Sequence, residues 1–512
     1  MASFVQILIR DDDAIVSFSF PNAFEGCRGR PESVQASAVL EKLPSTLRRL
    51  CILLGPGLGH VDDLALSFIL EYITNRYPHL ASFSITSYAS SWIPMTAVLS
   101  RVSRFGCRAI RIVDPAQKSE ASITVHRRGS QVGHALSVVI PLCRLWEEAV
   151  VAALCDNFWQ LDKLTILPPL LFTAYQEQRD TILASFQRFL SRARDLQCLS
   201  LPLELSSGLA PIILLASALP HCNKIELSCA SLRFFFAQSS VISELISGLH
   251  HFDHLKKLAL PAEVLCPSLH ACLGGLRGLQ ELKIVAATTT TPTELPAPHP
   301  GQFATLRTLQ ILGTFSHLQW ALEAFAHPEA NSLRSIYVES KCLGNKDETR
   351  GAFEIMASRC PKVKELGVCI QNIHPFEKMD WLDLSPLCDL QLKDFVIHHP
   401  RPLALSDSDI LRFLTAWSRA KHISLNPRPT LPAWVASGGA APPLPTLTSL
   451  IHAAEHGRML HHFGIYLNSR LPRTLGSRDR PGSLRELDLG LSRRSRQSAV
   501  WIQEVFPNAV VQ

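Results

Sequence analysis

The residues of this chain that come closest to a functional pattern are two groups of histidines, which could bind a metal ion. Histidines cluster in HHFDH (250–254) and in HAAEHGRMLHH (452–462). His250 and His254 would lie on one face of a helix, where two imidazoles can chelate a divalent metal ion. Neither cluster contains the H-E-x-x-H pattern, and no suitable set of carboxylates or thiols accompanies His250 and His254. We therefore interpret both clusters as solvated helix ends and predict no metal site.

The other motifs that could serve catalysis are incomplete. GPGLGH (55–60) has three glycines but matches neither G-x-G-x-x-G nor a Walker loop, so we interpret it as a strand-to-helix loop. Asp11, Asp12 and Asp13 form a lone acidic turn without the spaced ligands of a cation-binding loop. No G-x-S-x-G motif singles out a serine nucleophile. The sequence therefore predicts no catalytic residue, no cofactor and no enzyme activity.

Positive charge is concentrated near the C-terminus without forming a nucleic-acid site. Eight arginines fall between residues 470 and 496, where they could form a docking patch for an anionic partner. The acidic residues Asp479, Glu486 and Asp488 are interleaved with them, and stacking aromatic residues are missing. The net charge of the 512-residue chain is +6, a mild excess. We therefore interpret this stretch as a solvated end of the fold and expect no nucleic-acid partner.

The elements that must position any functional side chain come from a repeated hexad, Leu-x-x-Leu-x-Leu. Six clear copies occur in DLQCLSL, HLKKLAL, GLQELKI, TLRTLQI, SLRSIYV and SLRELDL. A fixed period of roughly thirty residues indicates a solenoid, and this hexad is the strand pattern of a leucine-rich repeat. A solenoid of this kind typically offers a binding surface rather than a catalytic chamber.

The register of the repeat follows from the middle apolar residue of each copy. These residues are Leu50, Phe83, Ile110, Leu164, Leu199, Ile225, Leu258, Leu282, Leu309, Ile336, Leu366, Phe395, Ile423 and Leu487. Two intervals, of 54 and 64 residues, are about twice as long as the others. Each could hide a further copy, one in ALSVVIP near Val138 and one in TLTSLIH near Leu450.

Amphipathic helices are predicted between the strands. In LSDSDILRFLTAW, apolar residues follow the helical spacing from Ile410 to Trp417, with Ser406 or Ser408 as N-cap. Further helices are predicted in VDDLALSFILEYI and over 181–193, 239–249, 318–326 and 348–359. The fold class predicted is an α/β solenoid, an irregular leucine-rich-repeat arc with parallel strands on the concave face and helices on the convex face. Each strand should pair in parallel with the next through a right-handed crossover.

The expected organisation is an N-terminal cap followed by one repeat region. Residues 1–45 would contain one or two strands, FVQILIR and AIVSFSF, that cap the first repeat. Residues 46–512 would form the solenoid, with irregular loops near 286–301 and 426–446. The longest apolar stretch, 209–220, is too short to span a membrane and contains prolines, and the N-terminus does not resemble a secretion signal.

The 14 cysteines are scattered singly, without a C-x-x-C pair. Several, such as Cys107 and Cys222, occupy core positions of the repeat. They are interpreted as small buried apolar residues in a reducing compartment rather than as disulfides or zinc ligands. The cytoplasm or the nucleus is therefore the expected location.

The candidate binding site is the concave face of the predicted sheet. Residues on either side of the middle apolar position point outward because side chains alternate along a strand. The candidates are Lys163, Thr165, Lys224, Glu226, Glu281, Lys283, Thr308, Gln310, Ser335, Tyr337, Asp394 and His422, with Val396, Ser424, Glu486 and Asp488 on the same face. This row mixes charges of both signs, which suits a protein partner better than a polyanion. Tyr337 is the best single anchor, since tyrosine is favoured at interface centres.

The repeat that opens with Cys360-Pro361 and continues through Leu366 resembles the leucine-rich repeats of F-box proteins. Residues 45–512 as a whole look like the divergent, basidiomycete-type F-box proteins of fungi, which end in a helix and a Phe-Pro turn, here Phe506-Pro507. The resemblance implies a monomer that presents a bound protein to a cullin-type ubiquitin ligase through a Skp adaptor. Leu43-Pro44, however, lacks the acidic residue that would follow in an F-box motif. The Asn or Cys ladder of regular repeats is also missing, which predicts an irregular arc.

Three functions follow from these observations. The leading hypothesis is a protein-binding repeat protein that acts as the substrate receptor of such a ligase. The second is a leucine-rich-repeat scaffold with no ubiquitin role, in line with the missing F-box. The third is a hydrolase with an irregular α/β fold, and the even spacing of the hexads argues against it.

Overall fold

The structure is a computed structural model that describes the chain most fully in its C-terminal part. Before residue 193 it describes eight strands and a few single positions. From there on the described ranges are 193–203, 209–228, 239–286, 294–327, 332–340, 346–371, 379–430, 443–468, 484–492 and 496–512. The residues group into two compact units, Met1–Leu255 and Lys256–Gln512.

The first unit contains ten strands in its described part. They are β1 (Phe4–Arg10), β2 (Asp13–Ser19), β3 (Arg49–Leu54), β4 (Ser82–Ser87), β5 (Cys107–Val113), β6 (Ala121–His126), β7 (Leu136–Pro141), β8 (Lys163–Ile166), β9 (Cys198–Pro202) and β10 (Lys224–Ser228). Two helices, α1 (Leu209–Ser217) and α2 (Ser239–Leu249), belong to the same unit.

Two groups of paired strands form in this unit. In the first group β1 is antiparallel to β2, β2 to β4 are parallel, and β4 is antiparallel to β6. In the second group the strands are parallel in the order β7, β5, β8, β9, β10. The strands predicted in FVQILIR and AIVSFSF are confirmed as β1 and β2.

The prediction that every strand pairs with the next one along the chain is wrong at β4 to β7. Only seven residues separate β5 from β6, and nine separate β6 from β7. Parallel neighbours need a crossover of about a dozen residues or more. β6 therefore pairs antiparallel with β4, and β7 returns to the far side of β5. The hidden copy predicted near Val138 is confirmed as β7, with Val138 opposite Ile110.

The second unit is a parallel sheet of ten strands with helices between them. The strands are β11 (Lys257–Pro261), β12 (Glu281–Val285), β13 (Thr308–Gly313), β14 (Ser335–Ser340), β15 (Glu365–Ile370), β16 (Asp394–His398), β17 (His422–Leu425), β18 (His462–Ile465), β19 (Glu486–Asp488) and β20 (Val510–Val511). Each pairs in parallel with the next along the chain.

The helices of the second unit occupy most of the connections. They are α3 (Pro267–Gly275), α4 (Phe315–Phe325), α5 (Lys346–Arg359), α6 (Trp381–Leu384), α7 (Asp407–Ala416), α8 (Thr448–His456) and α9 (Arg496–Val505), with short 3-10 turns at Ala262–Val264 and Ser385–Asp389. An open parallel sheet with helices between successive strands is an α/β solenoid of the leucine-rich-repeat type, and the predicted fold class is confirmed.

The middle apolar residues of the hexads form one continuous row inside the second unit. Each is paired with the next across the sheet, and none is more than 2% exposed. This core row consists of Leu258, Leu282, Leu309, Ile336, Leu366, Phe395, Ile423, Phe463 and Leu487. Burial of one such side chain contributes about 1.5–3 kcal/mol, so the row is a major source of stability.

The hidden copy predicted in TLTSLIH is wrong. That segment forms α8, and the missing strand is β18, whose middle residue is Phe463. The pattern misleads because Leu447, Leu450 and Ala453 are all buried at a spacing of three residues, which is helical. A Leu-x-x-Leu spacing fits one face of a helix as well as the start of a hexad.

Most predicted helices within the described residues are confirmed. They are α2, α4, α5 and α7. Ser406 rather than Ser408 caps α7: its Oγ accepts from Asp409 N at 3.3 Å, and Asp409 Oδ2 accepts from Ser406 N at 2.9 Å. The helices predicted over 61–73 and 181–193 lie outside the residues described as elements. The described parts of the two predicted loops contain no helix and no strand, and no helix in the described ranges could cross a membrane.

Candidate partner-binding surface

The candidate surface is the outward side of the second unit's sheet. Along β12, β13, β15 and β16, buried core residues alternate with half-buried or exposed ones. The first residue of each strand faces outward and lies opposite the first residue of the next. This polar row consists of Lys257, Glu281, Thr308, Ser335, Glu365, Asp394, His422, His462 and Glu486. Neighbouring strands are about 4.8 Å apart, so consecutive members can contact one another.

At its β11 end the polar row is internally neutralised. Lys257 Nζ lies 2.6 Å from Glu281 Oε2. Gln310 Nε2 donates a hydrogen bond to the other carboxylate oxygen of Glu281 at 3.0 Å. Both oxygens of Glu281 are therefore occupied, and this end presents little free charge to a partner.

Two carboxylates lie side by side at the centre of the polar row. Glu365 Oε2 accepts from Ser335 Oγ at 2.6 Å and from Tyr337 OH at 3.3 Å. Asp394 is directly opposite Glu365 on the next strand. Burial and the charge of Glu365 raise the pKa of Asp394 above its usual range. Among the described residues Asp394 forms no hydrogen bond or salt bridge, and His422, Lys421 and Lys393 oppose only part of the rise in its pKa.

Tyr337 extends across the neighbouring strand instead of standing away from the sheet. A Cβ atom added at Gly367 would lie 2.7 Å from Tyr337 Cδ1, so the ring occupies the space above this glycine. The side chain remains 42% exposed. Burial and the nearby carboxylates, chiefly Glu365, raise the pKa of Tyr337, and the phenol therefore keeps its proton. The ring offers an apolar face beside two carboxylates.

Two imidazoles continue the polar row beyond Asp394. The rings of His422 and His462 are stacked, with centroids 4.1 Å apart and an interplanar angle of 28°. His462 Nδ1 lies 3.1 Å from Glu486 Oε2. Burial and the neighbouring His462 lower the pKa of His422, and the carboxylates of Asp394 and Glu486 partly oppose that shift. His422 is therefore neutral at physiological pH, and the charge of this part of the row comes from the carboxylates.

Carboxylates outnumber lysines on the outward side of the sheet. Both signs are present, as predicted, with lysines at positions 257 and 283. The carboxylates there are Glu281, Glu339, Glu365, Asp394, Glu486 and Asp488. The face is therefore acidic although the chain as a whole carries a charge of +6. An acidic face of this kind favours basic partner surfaces.

The sequence-predicted site residues are divided between the two units. Eight of them share the outward face of the second unit: Glu281, Lys283, Thr308, Gln310, Ser335, Tyr337, Asp394 and His422. Lys224 and Glu226 belong to β10 of the first unit, where Lys224 Nζ lies 2.6 Å from Glu226 Oε1. Lys163 and Thr165 lie on β8, but their side chains are outside the described residues.

Three members of the polar row are not among the sequence-predicted residues: Lys257, Glu365 and His462. The sequence offers a signal for Lys257 and Glu365, because each directly precedes the middle residue of its strand. It offers none for His462, because the hexad pattern places that strand in the TLTSLIH segment instead. Each of the three neighbours a predicted residue across the sheet: Glu281, Asp394 and His422 respectively.

One group among the described residues could share a metal ion. His452, Glu455 and His456 lie near the end of α8, with one ligand atom of each within 4.8 Å of the others. His452 is half-buried, and the other two are exposed. This group lies on a helix and not on the outward side of the sheet, so it plays no part in the partner surface.

Comparisons with known proteins add little to this geometry. No family model matches the chain, and no curated protein matches it. A leucine-rich repeat-containing protein from Legionella pneumophila, LegL7, is similar at 11% identity and a TM-score of 0.37, over 73% of this chain and 97% of its own. The structure of a TLR13–ssRNA13 complex is similar at 12% identity and a TM-score of 0.30, over 93% and 66%. Both TM-scores are low, so the fold is assigned from this chain's own strand pairing.

Proposed function

We propose that this protein binds another protein through the outward side of the second unit's sheet. The observation that carries the proposal is the polar row, with Asp394 unpaired beside Glu365 and the exposed ring of Tyr337 next to both. The proposed activity is binding rather than catalysis. The expected partner presents an arginine or lysine opposite this pair of carboxylates, because charge complementarity selects the partner and fixes its orientation.

Tyr337 and the two carboxylates suit a cationic side chain for separate reasons. A guanidinium group can form paired hydrogen bonds to a carboxylate. It can also stack on an aromatic face, where the ring quadrupole attracts it. Because the Tyr337 ring occupies the space above Gly367 and its hydroxyl donates to Glu365, one arginine could contact the ring and a carboxylate together. An interface centred there would have the aromatic anchor that is common at binding hot spots.

The proposal extends to a role in ubiquitin transfer, as the substrate receptor of a Skp–cullin–F-box type ligase in the cytoplasm or nucleus, acting as a monomer. Its support is the resemblance of the Cys360-Pro361 repeat and the Phe506-Pro507 ending to F-box repeat proteins. The alternative is a scaffold without a ubiquitin role, which the unmatched Leu43-Pro44 segment favours. The two proposals predict different co-purifying proteins.

Affinity purification of the tagged chain from its own cells, followed by mass spectrometry, tests both levels. The double variant Glu365→Gln/Asp394→Asn should lose the main partner, whereas the matched control Asp253→Asn/Glu504→Gln, at two exposed positions, should retain it. Equal recovery by both variants would contradict the proposed surface. Recovery of a Skp adaptor and a cullin would support the receptor role, and partners without them would support the scaffold.

A further inference from the structure

A second charged feature follows the edge of the same sheet, at the residue just before each strand. Along β11 to β19 these residues are Lys256, Gln280, Arg307, Arg334, Lys364, Lys393, Lys421, His461 and Arg485. We call this set the rim ladder. Seven of its nine members are lysine or arginine, and the five from β13 to β17 are all cationic. Such a run is not expected from a chain in which 50 of 512 residues are basic.

The backbone holds the rim ladder in a fixed geometry. The carbonyl oxygen of each member except Arg485 accepts two hydrogen bonds from the next repeat, one from the following ladder residue and one from the first strand residue. At Lys364, for example, the oxygen accepts from Lys393 N at 2.7 Å and from Asp394 N at 3.0 Å. The same pair of bonds recurs from Lys256 to His461. Ladder residues are therefore spaced as the strands are, about 4.8 Å apart.

The cations of the rim ladder are accessible, and their charges are only partly offset: Arg334 Nη1 donates to Leu333 O at 3.1 Å, and Lys393 and Lys421 act on the pKa of Asp394. Lys256, Arg307, Lys364, Lys421 and Arg485 are exposed, and Arg334 and Lys393 are half-buried. Within the described part of the chain, none of the seven forms a salt bridge. Like charges at this spacing repel one another, and a bound anionic group would relieve that repulsion.

The opposite edge of the sheet carries no such charge. The residues that end β11 to β19 are Pro261, Val285, Gly313, Ser340, Ile370, His398, Leu425, Ile465 and Asp488. None of them is lysine or arginine. The row of cations thus follows the edge where the strands begin, alongside the carboxylates of the polar row, whereas at the opposite edge Arg428 is paired with Asp488. This asymmetry gives a ligand one edge to follow and a direction along it.

We propose that the rim ladder binds an extended acidic segment of a protein partner. From β11 to β19 the ladder spans eight strand spacings, about 38 Å, which an extended segment of about a dozen residues would cover. A polypeptide suits the surface better than a nucleic acid because the ladder contains no phenylalanine, tyrosine or tryptophan on which bases could stack. The inference does not depend on the proposed use of Glu365 and Asp394.

The test uses the full chain and a fluorescent deca-glutamate peptide, with anisotropy measured at low salt and at 0.15 M salt (about physiological). The ladder variant is Arg307→Gln/Lys364→Gln/Lys421→Gln. The matched control is Arg350→Gln/Arg412→Gln/Arg428→Gln, which removes the same charge from three exposed positions, on α5, on α7 and after β17, none of them in the ladder or in the turn that leads into it. We expect the ladder variant to bind about tenfold more weakly and the control to bind within about twofold of the parent. Added salt should weaken the parent more than the ladder variant.

Three outcomes would overturn the proposal. Equal weakening in both variants would mean that the peptide senses only the net charge of the chain. A lack of binding by the parent at low salt would show that the ladder is not an anion site. Tighter binding of a single-stranded RNA of ten nucleotides, with the same dependence on the ladder, would assign the ladder to nucleic acid instead. Circular dichroism of the variants shows whether a loss of binding reflects unfolding.

Discussion

The ring of Tyr337 occupies the space in which the side chain of residue 367 would otherwise lie. A Cβ atom at Gly367 would be 2.7 Å from Tyr337 Cδ1. The phenol oxygen of Tyr337 lies 3.3 Å from Oε2 of Glu365, which is on the same strand as Gly367. The glycine thus makes room for an aromatic surface next to a carboxylate. This relationship links a packing feature of β15 to the proposed contact with a partner.

Gly367→Ala should weaken partner binding while leaving the fold nearly intact. The added methyl group pushes aside an exposed ring, which can move at a cost of about 1 kcal/mol or less in the free energy of unfolding. Displacement of the ring should lower partner affinity about tenfold, as expected when an interface anchor is misplaced. Denaturant unfolding and a binding titration measure the two effects. Gly351→Ala, in α5 with only a distant neighbour, is the control and should leave affinity unchanged.

Asp394→Asn should stabilise the folded protein at neutral pH. The pKa of Asp394 is raised in the folded state by burial and by Glu365, so the folded chain binds this proton more tightly than the unfolded chain does. Stability is then lost as pH rises from the unfolded pKa through the folded one. The variant removes that loss, so its gain should be present at pH 7 and vanish near pH 3. Denaturant midpoints at the two pH values measure the effect.

The same variant should bind a basic partner more weakly, since one of the two central carboxylates is gone. Higher stability with lower affinity is the pattern expected of a binding site that is kept at some cost to the fold. If Asp394→Asn is no more stable than the parent at pH 7, burial and the repulsion between Glu365 and Asp394 do not destabilise the folded protein.

Ser406→Ala should cost about 1 kcal/mol of stability by removing the N-cap of α7. The serine Oγ accepts from Asp409 N, and the Asp409 carboxylate accepts in return from Ser406 N. Ser408→Ala removes the other serine that the sequence offered as a cap and should cost less. Thermal unfolding of both variants distinguishes them, and the reverse order would show that the cap is wrongly placed.

Leu309→Asp should unfold the repeats around β13. Leu309 is fully buried between Leu282 and Ile336, and a charge at that position has no partner and no route to water. The expected loss is about 4 kcal/mol or more, large enough to appear as lost helical signal in circular dichroism. Leu491→Asp, at a position that is 61% exposed, is the control and should unfold at the same temperature as the parent.

The core of the fold was largely predictable from the sequence because the same pattern of buried apolar residues recurs in every repeat. Leu258, Leu282 and Leu309 mark the same strand position at a regular interval. Strands that are consecutive in the sequence then pair with each other in the sheet. The prediction fails where two elements share a pattern, as in the segment around Leu450. It also fails where loop length decides the order of strands, as at β5 and β7.

The candidate surface was harder to predict than the core. A strand position alone shows that Asp394 faces outward, but only the register shows that its neighbour is Glu365. The rim ladder is not apparent in the sequence for a similar reason. Lys364, Lys393 and Lys421 are far apart in the sequence and become a linear array only when the strands are stacked.

The long connection between β17 and β18 shows how the solenoid tolerates growth. Thirty-six residues separate Leu425 from His462, yet His422 and His462 lie directly opposite each other and their rings are stacked. The length of chain between strands is therefore decoupled from their alignment. Evolution could lengthen this excursion ahead of α8, whose Leu447 and Leu450 are buried in the core, without moving the strands apart, and a protein engineer could use the same stretch to insert a foreign domain.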